Sequence, residues 1–192
     1  MSSSTMGNNK VIGFLSLYET ISKDGYLGAI LITDMYGIPQ EFRCTHPVKP
    51  TMIQKPLYGD KLEPYIGISL CGVPLIQSLQ NKPAVMIVQK EYLLEVRKDI
   101  DIPVIFIRKA GEAIDIKYNE TIDNSSVRRE RMDSPTGSFQ PLIISTFYGF
   151  QDDVTEIRAV IEEAFKNFDL IEPFERIEKS IEVLSKQHNR FQ

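Results

Sequence analysis

Tryptophan is absent from this 192-residue chain, and cysteine and histidine occur only twice each. Those shortages bear first on metal and redox chemistry. Cys44 and Cys71 match neither a disulfide framework nor a zinc ribbon, so they read as two reduced thiols of a cytoplasmic protein. No window approaches the roughly 18–20 consecutive apolar residues that cross a bilayer, and the opening MSSSTMGNNK has no apolar leader segment. The basic amphipathic pattern of membrane-surface helices is missing as well, so no membrane partner is expected. No P-loop, dinucleotide fingerprint, His-Glu-x-x-His or calcium-loop spacing occurs, and neither a cofactor nor a bound metal is expected. Net basic charge is also lacking. At −4, with a pI near 5.3, the surface as a whole does not suit duplex nucleic acid.

What the chain does have is an ordinary globular composition, 42% hydrophobic and 25% charged, which is enough for a full core. Val11–Thr20 reads as a first strand, and the turn signal Ser22–Gly25 leads into the most legible stretch of the sequence. There, Leu27–Thr33 is a nearly unbroken apolar run, Asp34–Gly37 breaks it, and Pro39–Thr45 resumes as an extended segment. Short turns between three successive strands make an antiparallel meander. Pro47, Pro50 and Pro56 then favour an extended crossover. Asp60 and Glu63 open a capping-box pattern, and apolar residues at helical spacing predict a helix over 61–80, kinked or split into two short helices by Pro74 near Cys71-Gly72.

Ala84–Gln89 and Val104–Arg108 read as buried strands, with room for two helical turns at Glu91–Lys98 and an edge strand at Ala113–Tyr118. From 119 to 141 the polar, turn-rich composition predicts a long loop carrying Arg128, Arg129 and Arg131, before a last strand at Leu142–Tyr148. Two amphipathic helices close the chain. Val154, Ile157, Val160, Ile161, Ala164 and Phe165 define the apolar face of the first, and Phe174, Ile177, Ile181 and Leu184 that of the second. The expected class is α+β, with mixed α/β as the alternative: a three-stranded antiparallel meander, a central helix, two or three further strands and a helical pair. Residues 1–10 are expected to be disordered, 11–150 to form the core domain, and 151–192 to pack on it or extend from it.

Candidate chemistry is sparse. Cys44 and His46 alternate on one strand, a weak basis for a metal site or a Cys–His nucleophile, and Cys71 lies in an apolar helical stretch where burial would leave it inert. The arginines at 128, 129 and 131 suit anions or acidic surfaces, with Arg43 and His46 as further contact candidates. Met52, Tyr58 and Tyr65 could form a protein contact around the proline-rich crossover.

The order of three strands, helix, strand, short helix and strand resembles that of ribonuclease-H-like domains. The resemblance implies two-metal chemistry built on clustered carboxylates from the strands and the helix. Strand one, VIGFLSLYET, offers none in its interior and strand four ends at Gln89, so this chain would resemble an inactive version. With no catalytic set in view, the leading expectation is a non-catalytic cytoplasmic subunit or adaptor that works through a protein partner or self-association. The alternatives are a thiol-dependent hydrolase, a metal-dependent nuclease of ribonuclease-H-like topology, or nucleic-acid binding through the arginine loop.

Overall fold

Asp34 and Gly37 turn the chain where the sequence places the reversal. The Asp34 carboxylate accepts the backbone N–H groups of Tyr36 (2.9 Å) and Ile38 (3.0 Å), and Gly37 takes a φ of 79°. The computed structural model describes residues 10–112 and 127–187. In it, β1 (Val11–Glu19), β2 (Tyr26–Asp34) and β3 (Pro39–Cys44) form the expected antiparallel meander. β1 and β2 are apolar at nearly every position because both faces of the sheet are covered, so there is no solvated side for polar residues to alternate onto.

After β3 the chain becomes helical sooner than the prolines suggest. α1 (Gln54–Tyr58), a 3-10 turn, α2 (Leu62–Tyr65), a π-helical segment at Ile66–Gly72 and α3 (Val73–Gln77) follow one another without a break. Pro74 has no N–H to give to the preceding turn, and the wide π turn ends just before it. The expected kink is thus spread over seven residues.

β4 (Met86–Val88) then runs parallel to β1, pairing Gly13 with Met86 and Leu15 with Val88. A 3-10 segment, Glu91–Asp99, replaces the expected helical turns and returns the chain to β5 (Val104–Lys109), parallel to β4. β7 (Leu142–Phe147) lies antiparallel to β5, and β6 (Val127–Met132) forms the outer edge beyond it. The sheet order is β3-β2-β1-β4-β5-β7-β6. Two expectations are corrected here. The arginine-bearing stretch is a strand and not part of a loop over 119–141, and among the described residues four strands follow the meander where two or three were expected. The expected strand at Ala113–Tyr118 and the expected disorder at the N-terminus lie almost wholly outside the described residues.

One face of the sheet is covered by α4 (Asp152–Asn167) and α5 (Glu172–Gln187), the other by the helical stretch 54–77 and the 3-10 segment. Phe14 anchors the first face, with its ring edge-on to Phe174 (5.6 Å between centroids) and Phe168 (6.3 Å). On the second face Gly28 lets the π turn sit directly on β2: a Cβ there would lie 2.5 Å from the Cβ of Cys71. The class is therefore α+β around a seven-stranded mixed sheet. No helix among the described residues is long and apolar enough to cross a membrane.

Candidate functional site

From β1 the chain steps outward through β2 and β3, and from β4 it steps the other way through β5. β1 and β4 are parallel neighbours, so the sheet's connections diverge between them, and in open sheets of this kind ligands bind beyond the carboxyl ends of the strands at that divergence. A cleft of about 710 Å³ opens at this place. Its floor is made by the ends of the two strands, Leu17, Tyr18 and Gln89; Glu63 and Lys90 form one wall, and Glu178, Ile181 and Glu182 of α5 form the other.

The floor is held by a hydrogen bond between the two strands. Ser16, fully buried in β1, donates its Oγ proton to Oε1 of Gln89, 2.6 Å away, just beyond β4. Tyr18 donates its hydroxyl to the Phe174 carbonyl (3.1 Å), and burial, helped by nearby Glu178 and opposed by Ser16, pushes its phenol well above the usual range. It stays a neutral donor at any physiological pH. On the wall, Glu63 accepts from Lys90 and from the Tyr92 hydroxyl (3.0 Å), tying α2 to the segment that follows β4. The carboxylate of Glu63 is thereby committed to a cation and a phenol.

The helical wall continues into an exposed surface. Met52, Ile53 and Leu57 are each more than two-thirds exposed, and the rings of Tyr58 and Tyr65 lie 5.1 Å apart. Lys49, Lys55 and Lys61 stand along the same stretch, all exposed. This exposed aromatic and basic stretch leads along the chain into Glu63 of the cleft wall.

The residues singled out in the sequence do not meet. Arg43 and His46 belong to the β3 edge and the three arginines to the β6 edge, with five strands between. Arg43 pairs with Glu41, whose carboxylate also accepts the backbone N–H groups of Gln80 and Asn81. Arg129 pairs with buried Glu91 (2.6 Å) and Arg131 with Asp133 (2.9 Å), while Arg128 is exposed on the outer strand. Most of this charge is spent inside the protein. Cys44 packs against the core under α4 and α5, Cys71 against the core on the opposite face, and burial pushes both thiols up. A shared thiol site is thus ruled out by the sheet between them. Asp34 caps its turn and Glu41 accepts the backbone N–H groups of the loop after α3, so they do not converge with Glu63 and Asp60 into a carboxylate pocket.

The two-metal chemistry implied by ribonuclease-H-like topology does not fit the donors at the cleft. At their facing positions the strands offer a hydroxyl and an amide that are bonded to each other, Glu19 at the end of β1 is a single exposed carboxylate, and no group of three or more His, Cys, Asp or Glu among the described residues could hold an ion. Sequence reasoning passed over Ser16 as one polar residue in an apolar run. The signal available was that Gln89 ends a buried strand flanking a crossover, where a parallel neighbour to β1 belongs.

No protein-family model and no curated protein sequence matches the chain. Among solved structures it is similar to Ciona intestinalis Endonuclease V in complex with a 23mer DNA containing an inosine followed by a ribo-adenosine, at 10% identity over 80% of this chain and 76% of that chain, with a TM-score of 0.48. It is also similar to human ENDOV (14% identity, 72% and 70% of the two chains, TM-score 0.47) and to Endonuclease_V from Bacillus subtilis (10%, 82% and 70%, 0.44). These likenesses overturn the expectation of a non-catalytic subunit or adaptor working through protein contacts: the similar structures are endonucleases. At such low identity they assign no residue a role, and the site is read from this chain's own strand order and side chains.

Proposed function

We propose that the chain binds single-stranded nucleic acid across the cleft at the ends of β1 and β4. The observation that carries this is the position of the cleft at the divergence of the sheet, with an exposed aromatic pair and three exposed lysines on the stretch of chain that leads into its wall. Each part has a role in such a complex. Stacked or splayed bases need π-faces, which Tyr58 and Tyr65 present; an unpaired base entering the cleft meets Glu178 and Glu182, whose exposed carboxylates accept from base amino groups. Lys55, Lys61 and Lys49, the last of which also pairs with exposed Asp24 at 2.9 Å, suit the phosphates outside the cleft. A single strand is preferred over a duplex because paired bases would hide those faces from the tyrosines. Two unpaired thiols on opposite faces suit a reducing, cytoplasmic setting.

Fluorescence anisotropy with labelled oligonucleotides tests the reading. Single-stranded DNA or RNA should bind more tightly than the matching duplex. Tyr58→Ala and Tyr65→Ala should each weaken binding by about 1–3 kcal/mol, the range for one base–aromatic stack. Absence of binding at low salt, or tyrosine variants that bind like the unaltered chain, would overturn it.

A further inference from the structure

The donors at the cleft point to something more specific than binding. We infer that the Ser16–Gln89 hydrogen bond stands where a metal-bridging carboxylate pair would have to be, so that the cleft takes no divalent ion and any cleavage by this chain does not pass through metals at β1 and β4. Two divalent ions side by side bring four positive charges, and the ligands that hold them in two-metal sites are anionic. Here the facing positions of the two strands contribute neutral groups, whose best acceptor, Gln89 Oε1, already takes the serine proton at 2.6 Å; the carboxylate of β1, Glu19, is exposed at the strand's last position.

The surrounding carboxylates do not make up the deficit. Glu63 on α2 is held by Lys90 and Tyr92, and the lysine also places a positive charge where an ion would sit. Glu178 and Glu182 lie one turn apart on the exposed side of α5, with Glu182 3.9 Å from Lys186. Among the described residues no three of these groups converge on one point.

The ion-binding part of the inference does not depend on the nucleic-acid reading, because it is measured on the protein alone. Mn²⁺ titration of the full chain, followed by the loss of the free-ion electron paramagnetic resonance signal and by thermal melting, should show no saturable uptake and no rise in Tm at millimolar ion. The double variant Ser16→Asp/Gln89→Asp places two carboxylates across a gap now closed by one hydrogen bond, and it should gain about tenfold or more in Mn²⁺ affinity, with a Tm that rises with the ion. Saturable Mn²⁺ uptake by the unaltered chain overturns the inference. So does a folded double variant that binds Mn²⁺ no better than the unaltered chain. If the double variant does not fold, the titration of the unaltered chain decides alone. A labelled single strand incubated with the chain and Mn²⁺ should stay intact, and Mn²⁺-dependent cleavage that Ser16→Ala or Gln89→Leu abolishes would also overturn it. Failure of the strand to bind at all bears on the nucleic-acid reading and leaves the Mn²⁺ titration standing.

Discussion

Replacing Gly28 with alanine should dislodge the helical wall of the cleft from the sheet. The added methyl would meet the Cβ of Cys71 at 2.5 Å and the Cδ1 of Leu75 at 3.2 Å. The leucine methyl can rotate aside; the cysteine Cβ is fixed to the backbone of the π turn and cannot. The contact is therefore relieved only by moving the turn or the strand, and β2 is locked in register with β1 over nine pairs. Overpacking of this kind costs about 1–3 kcal/mol, and a clash with a backbone-fixed atom belongs at the top of that range. For a chain of this size, about 3 kcal/mol lowers Tm by roughly 6–12 °C. Thermal melting by circular dichroism reads the loss directly. Cys71→Gly removes the opposing atom, at its own cost from glycine in a helical segment and from the buried thiol lost, and in that background Gly28→Ala should cost much less than it does alone. A Gly28→Ala protein that melts within a degree or so of the unaltered chain, or an equal loss in the two backgrounds, would refute the packing described here.

Two further outcomes follow from the charges. Glu41 is the case for pH: burial opposes its ionisation, but the hydrogen bonds from Arg43, Asn81 and Gln80 outweigh it and hold the carboxyl at about 2, below its ordinary 4.5. A folded-state value below the unfolded one means stability that is present above pH 4.5 and lost as pH falls toward 2. Glu41→Gln should therefore destabilise the chain at neutral pH and flatten its acid unfolding profile in that window, as measured by denaturant midpoints across pH; an unchanged profile would contradict the assignment. Lys49, Lys55 and Lys61 set the salt dependence of binding. With three phosphate contacts the slope of log K against log salt should be about −2, and the triple Lys→Gln variant should bring it close to zero. A slope that survives the triple change would place the phosphates elsewhere.

How much of this the sequence carried depends on whether the signal was local. The meander was legible because Asp34 and Gly37 encode the reversal in their own backbone chemistry, and the last two helices because Val154, Ile157, Val160 and Ile161 repeat at helical spacing. β6 was not legible. Val127 and Met132 are its only buried residues, and the polar middle, Arg128–Arg131, is stabilised by partners far along the chain, Glu91 for Arg129 and Arg158 for Glu130. A strand whose side chains are satisfied by other elements looks like a loop in one dimension. The site was illegible for the same reason. Nothing near Ser16 announces that Gln89, 73 residues on, lies within hydrogen-bonding distance, because that contact exists only once β4 has paired parallel to β1. Topology, in this chain, is what turns two unremarked polar residues into the floor of a cleft.

The central claim is that nucleic acid lies across the ends of β1 and β4. Photo-crosslinking of a single strand carrying 4-thiouridine, followed by peptide mapping, tests it most directly. The account predicts adducts in the cleft, at Tyr18 and Lys90, and on the exposed helical stretch, at Tyr58 and Tyr65, with yields that fall in proportion as unlabelled single strand is added. Adducts confined to Arg128 and Arg131 on the β6 edge, or competition by duplex as effective as by single strand, would contradict it.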